Sequence, residues 1–345
     1  MASTDQGGGP APRRRPTIED VARLAGVSRG TVSRVINGGR NVRPAVLSTV
    51  NSAIEALGYS ANQAARNLAR GRTGSIAFVI SEREERLFED PNFGMFVRVF
   101  SRRLRENGRH LLVTTAQDEE EEDFLGDYLT LGHVDGALLA LTHEKESLLG
   151  RLLSNRLPLV VLGKPLGFEN AFSWVAIDDE TAAFTVVSYL AGKVGGAIGT
   201  VTGPLHTSSG RERLDGYRRA IGNQFHPSLV TTGDWSLRSG RDGTRQLLGR
   251  HPGLRGLFVA SDLMAVGAIG ALRESGRRVP EDVAVVGFDN SAAATMVEPA
   301  LTTMRNPIEQ TALEALQILD DQIAGRIHQP VHVLLSSELV ERSSA

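Results

Sequence analysis

The chain has 345 residues, of which 41% are hydrophobic and 23% charged, ordinary proportions for a globular protein and enough length for two domains or one bilobed domain. Collagen-like, coiled-coil and largely disordered chains are excluded; no run of 18 apolar residues exists to span a membrane, and with no cysteine there are no disulfides, thiol nucleophiles or Cys-ligated zinc sites. The net charge of −2 hides an asymmetry: between residues 13 and 72 eleven arginines face three acids (Glu19, Asp20, Glu55), about +8, while the remainder is acidic, the pattern of a small polyanion-binding module on a larger body.

In chain order, residues 1–16 hold Gly, Pro and Arg with nothing to bury, which predicts a disordered basic tail. No apolar segment follows its arginines to form a secretory signal, so the chain is expected in the cytoplasm. Thr17-Ile18-Glu19-Asp20 then predicts a helix start, with an acid three residues after a hydroxyl cap. Ile18, Val21, Ala22 and Leu24 form its apolar face, and Gly26 supplies the positive φ of a tight turn. Ser28 caps a second helix, Arg29–Ile36, whose Val32, Val35 and Ile36 face inward until Asn37-Gly38-Gly39 ends it. A third helix, Pro44–Leu57, carries Val46, Val50, Ile54 and Leu57 at helical spacing.

Helix, tight turn, helix, helix is the helix-turn-helix plan, whose second helix fits a major groove. Arg29, Gly30, Thr31, Ser33, Arg34 and Asn37 face outward on it. Arg34 suits a guanine edge, and Thr17, Ser28, Ser33 and Asn41 suit phosphates. Taken alone, the pattern also fits a three-helix bundle with a charged exterior. The head is assigned to 17–60 and a hinge or linker to 61–74. Within the latter, Asn62–Ala69 is too short to be a stable helix unaided.

From Ser75 apolar runs alternate with helical stretches. The strands expected are Ser75–Ser81, His110–Ala116, Val134–Leu141, Leu159–Gly163, Trp174–Ile177, Ala197–Gly203, Leu229–Thr232, Gly256–Ser261, Val283–Phe288 and Leu301–Met304. This rhythm predicts two doubly wound parallel-sheet lobes over 75–345, joined near Ile177–Asp178 and Thr302–Pro307. A ligand is expected in the cleft at the carboxyl ends of the strands. There Trp235 offers a flat face to a sugar ring. The eight histidines lack metal-ligand spacing, Gly192–Gly196 is an incomplete phosphate loop, and Ser208-Ser209-Gly210 is no nucleophile elbow. No metal, cofactor or catalytic set is therefore assigned, and the chain is not read as an enzyme. An exported sugar-binding protein would share the body but not the basic head.

The run DVARLAGVS, then TVSRVIN, then LGY followed by an A-x-x-L helix, resembles the amino-terminal signature of the LacI (lactose repressor) family of bacterial regulators. The resemblance extends through a periplasmic-binding-protein-like core to Arg342. It implies a homodimeric repressor on pseudo-palindromic operator DNA, with base-reading positions at Arg29, Gly30 and Arg34, and a hinge helix whose Leu68, beside Ala65, wedges the minor groove. Gly30 departs from the family, which usually carries a longer side chain there. Leu47 stands where members often have a phosphate-contacting base, and Ala61 replaces a usual proline. The resemblance further implies an effector held by Arg213, within Arg213-Leu214-Asp215-Gly216-Tyr217, and by Asp289, with Ser261 at the family's Asn/Ser-Asp step. Lys164 replaces a frequent aspartate and is expected to reach the ligand in its place; Phe93, in the Glu89–Gly94 loop after the first strand, is expected to line the pocket. Each of these also reads as a helix-start or core residue. VVLGKPLG and SEREERLFEDPNF are similar to stretches of actinobacterial cellobiose- and oligosaccharide-type repressors. The expected effector is a sugar that releases DNA; the alternative is a purine or other co-repressor that promotes binding.

Overall fold

The computed structural model describes residues 16–36, 42–59, 72–82, 84–140 and 147–345, and the chain divides into two units, 1–73 and 74–345. In the first unit α1 (Ile18–Ala25), α2 (Arg29–Ile36) and α3 (Pro44–Leu57) form the head. Thr17 and Asp20 make a reciprocal capping box at the start of α1, and Gly26 at φ 65° ends it. One valine from each helix, Val21, Val32 and Val50, is fully buried at the centre. Leu24, expected on the buried face, is 55% exposed. At about 100° per residue it falls outside the arc shared by Ile18, Val21, Ala22 and Ala25.

The second unit has twelve strands among the described residues: β1 (Ser75–Ile80), β2 (His110–Thr115), β3 (Gly136–Ala140), β4 (Leu159–Leu162), β5 (Ser173–Ile177), β6 (Ile198–Thr202), β7 (Val230–Thr232), β8 (Gly256–Val259), β9 (Ala284–Asp289), β10 (Thr302–Arg305), β11 (His332–Leu335) and β12 (Glu338–Val340). They form two six-stranded sheets, ordered β11-β5-β4-β3-β1-β2 and β12-β10-β9-β8-β6-β7. The inner strands are buried throughout, as in β3 and β9, because helices cover both faces of each sheet. Burying each such aliphatic side chain stabilises by roughly 1.5–3 kcal/mol.

Two features correct the sequence expectation. β12 pairs antiparallel with β10, so the second sheet is mixed, and the chain crosses between lobes three times. The crossings follow β5, follow β10, and lie between β11 and β12. The expected strands end with β10. β11 and β12 are short edge strands, and Leu334 is half exposed, which weakens the apolar pattern. The helix Ile308–Ile323 returns the chain from the second lobe and packs on β3, β4 and β5 of the first.

Candidate functional site

Strands of both lobes point their carboxyl ends at one cavity of about 180 Å³. The first lobe contributes Ala140 at the end of β3, Gly163 after β4 and Ile177 at the end of β5; the second contributes Trp235 after β7, Ser261 after β8 and Asp289 at the end of β9. The chemistry sits there because side chains just beyond parallel strands lie at helix starts, clear of the sheet.

Arg213, on the helix Ser208–Ile221, is the buried centre of the site at 5% exposure. Its Nε donates to Asp179 Oδ1 at 2.7 Å and its Nη1 to the Ala260 carbonyl at 2.5 Å, while Asp289 Oδ1 stands 3.8 Å from Nη1. The guanidinium carbon lies 3.6 Å from the centre of the Phe288 ring and 5.4 Å from that of Trp235. Burial works against its charge, but Asp179 and Asp289 outweigh it and hold the guanidinium pKa above its ordinary value. Burial pushes the carboxyls of Asp179 and Asp289 up from the usual range, against the pull of Arg213. Two carboxylates around one guanidinium leave oxygen lone pairs over. The cluster can therefore accept hydrogen bonds from a ligand's hydroxyls.

Backbone strain is concentrated at the same place. Among the described residues, the non-glycine residues at positive φ are Trp235 (70°), Asp289 (116°) and Asn290 (54°). Such conformations cost about 1–3 kcal/mol each and persist where the surroundings impose them. For Trp235 the surroundings are clear. Ser236 N donates to Asp234 Oδ1 at 2.9 Å, Asp234 N donates to Ser239 Oγ at 3.0 Å, and the indole lies on Gly203, where a Cβ would come within 2.0 Å of the ring.

Phe93, Arg213, Trp235, Ser261 and Asp289 thus line one cavity. Ser261 also caps the helix Asp262–Glu274, its Oγ accepting from Met264 N at 3.3 Å. Lys164 lies apart, in an adjoining chamber of about 90 Å³ that shares Gly163, Asp179, Ser209 and Trp235 with the main cavity. Its ammonium is paired with Glu212 at 2.7 Å across the cleft. Sequence reasoning missed Arg86, Asp90, Asp179 and Asn306, all of which line the cavity. Asp179 follows a buried strand by two residues, the same signal that marks Ser261. Arg86 and Asp90 are an i,i+4 ion pair of 2.9 Å. Asp262, beside Ser261, is structural: it accepts from Thr303 Oγ1 at 2.6 Å and from Ser291 N at 2.7 Å.

In the head, Arg29, Gly30 and Arg34 are exposed on α2. Arg29 reaches Glu19 at 3.3 Å, and Arg34 Nε folds back on the Gly30 carbonyl at 3.3 Å. Ser28 Oγ accepts from Thr31 N at 3.2 Å and meets Thr31 Oγ1 at 2.9 Å, capping α2. Thr17 Oγ1 donates to Asp20 at 2.8 Å. Ser33 is half-buried and hydrogen-bonded or otherwise engaged. A Cβ on Gly30 would meet only Ser28 Oγ, at 3.9 Å, so packing does not demand glycine there. Leu47 packs half-buried against the head's core. Asn37, Asn41, Ala65 and Leu68 lie outside the described residues.

Residues 17–62 match the family described as bacterial regulatory proteins, lacI family, and residues 188–345 match the periplasmic binding protein-like domain. The chain is 42% identical to the HTH-type transcriptional regulator CelR of Thermobifida fusca over 96% of its own length and 99% of the relative's. It is 33% identical to the ribose operon repressor of Escherichia coli over 95% and 99%. Among solved structures it is similar to a CelR–cellobiose complex (TM-score 0.77, 40% identity, 96% of this chain and 100% of the other). It is also similar to the lac repressor dimer bound to operator and the anti-inducer ONPF (TM-score 0.86, 27% identity, 96% and 99%).

Proposed function

Since the chain belongs to the lacI family of bacterial regulatory proteins and is a DNA-binding transcriptional repressor, we propose that a neutral saccharide bound in the cleft releases it from its operator. The observation that carries this reading is the buried Arg213–Asp179–Asp289 cluster beside Trp235. The carboxylates accept from hydroxyls and the indole covers the C–H face of a ring. Cellobiose, the ligand of the similar CelR complex, is the first candidate.

The mechanism follows from linkage. The head's arginines neutralise phosphates and give affinity, while Arg29 and Arg34 on α2 read base edges. Two heads of a homodimer, the state of the similar lac repressor on its operator, would meet two half-sites. Residues 61–74 join each head to its cleft. A saccharide that binds the closed cleft more tightly than the open one shifts the dimer toward a geometry in which the heads no longer fit both half-sites. It acts only through that difference in affinity.

A thermal-shift panel of mono- and disaccharides tests the sensor. A ligand at about 100 times its Kd adds about 2.7 kcal/mol to the native state and raises the melting temperature by several degrees. Indifference to every saccharide in the panel contradicts the reading.

A further inference from the structure

Arg86 stands on the helix Glu84–Glu89 of the first lobe, buried at 8% exposure and lining the cavity. Its Nη2 donates to Asp90 Oδ2 at 2.9 Å. Asp90 is itself fixed, since it caps the helix Pro91–Glu106 through Asn92 N at 2.9 Å. The other arm reaches into the second lobe, where Arg86 Nη1 donates to the carbonyl oxygen of Trp235 at 3.3 Å. The buried Nε has no hydrogen-bond partner among the described residues. The side chain is thus held by two bonds, one to its own lobe and one to the other.

The receiving loop suits a cation. Burial pushes the Asp234 carboxyl up, but hydrogen bonds involving Ser236 and Ser239, with the charge of Arg86, outweigh it and leave the group below the usual carboxylate range. Trp235 itself holds φ at 70°, which a bulky residue keeps only under external constraint. The second lobe supplies the Gly203 seat and the 234–236 turn; the first lobe supplies the bond from Arg86. If the lobes part, Asp90 travels with Arg86 and the bond to Trp235 is the one that breaks.

Resting on the saccharide-sensor reading, we propose that Arg86 is a positioning residue for Trp235: only when the lobes are closed does it add the main-chain bond that, with the second lobe's own contacts, fixes the indole in its ligand-facing pose. Lobe closure and stacking on the ligand then become one event. Arg86 acts through the main chain of Trp235, so its loss weakens binding without removing any group of the Arg213 cluster.

The chain has two tryptophans, so Trp174→Phe leaves Trp235 as the reporter. Full-length Trp174→Phe protein is titrated with cellobiose while Trp235 emission and the dissociation constant are followed. Adding Arg86→Met, or independently Arg86→Gln, is expected to abolish the cellobiose-dependent emission change and weaken binding about tenfold, the equivalent of one hydrogen bond to a charged donor. Arg86→Lys, which retains a cationic donor, restores the emission change. Parental emission change and affinity in both Arg86→Met and Arg86→Gln overturn the proposal, as does failure of Arg86→Lys to differ from them. If neither the parent nor the Trp174→Phe protein responds to cellobiose or to any other saccharide of the panel, the sensor reading falls and this proposal with it; a responsive protein indifferent to Arg86 sinks the proposal alone.

Discussion

Arg213 Nε lies 2.7 Å from Asp179 Oδ1, in a pair with both side chains at or below 10% exposure. The two residues reach the cleft from neighbouring helices of the second lobe, Asp179–Lys193 and Ser208–Ile221. Removing one member leaves a buried, uncompensated charge. Arg213→Met is expected to lower stability by about 3–5 kcal/mol and to abolish saccharide binding. Urea unfolding and calorimetric titration check both. Parental stability would mean that the pair is solvated.

Trp235→Ala removes the proposed stacking face and is expected to weaken saccharide affinity by ten- to a hundredfold, about 1.4–2.8 kcal/mol. Operator affinity without sugar should stay parental. Gly203→Ala is the sharper version, because the new methyl would occupy the seat of the indole, 2.0 Å from its nearest ring atom. It should reproduce the loss with Trp235 intact. Calorimetric titration decides, and parental affinity in Gly203→Ala removes the seat from the account.

The cleft should also respond to pH. Burial raises the Asp289 and Asp179 carboxyls, and a protonated carboxyl accepts fewer hydroxyl bonds than a carboxylate. Saccharide affinity therefore falls as pH falls, and the fall begins above the ordinary aspartate pKa of about 3.9. A several-fold weakening between about pH 7.5 and 5.5 is expected, with Asp289→Asn binding weakly and with less pH dependence. Titrations in matched buffers check this, and a flat profile down to pH 5 contradicts it.

On the head, Arg34→Ala is expected to cost about 1–3 kcal/mol of operator affinity and to relax preference at one base pair. Gly30→Ala has room for its methyl, 3.9 Å from Ser28 Oγ, and should stabilise the head by roughly 0.5–1 kcal/mol while altering operator choice. Melting curves and a half-site selection experiment separate the two effects.

Much of this architecture is legible in the sequence. Buried parallel strands such as β3 and β9 announce themselves as apolar runs, and Thr17, Gly26 and Ser28 mark their helix ends by cap chemistry alone. Local signals fade where the partner is distant. β11 and β12 are four- and three-residue edges whose pairing with β5 and β10 closes long loops. Leu24 misled because a short helix offers several apolar arcs. In the site, Arg213, Trp235 and Asp289 stand beside recognisable motifs, whereas Arg86 depends on a carbonyl 149 positions away, a relationship no local pattern contains. Lys164 fits neither case, since its pairing with Glu212 is set by the approach of the two lobes.

In the proposed coupling, ligand in the cleft governs DNA binding by the head. Fluorescence anisotropy of a labelled duplex from the chain's own upstream region, titrated with full-length protein with and without cellobiose, measures it directly. Specific binding that weakens steeply with salt and is released by the saccharide is the expected result. Specific binding that saccharide leaves unchanged or tightens, or no binding beyond that to unrelated duplex, contradicts it.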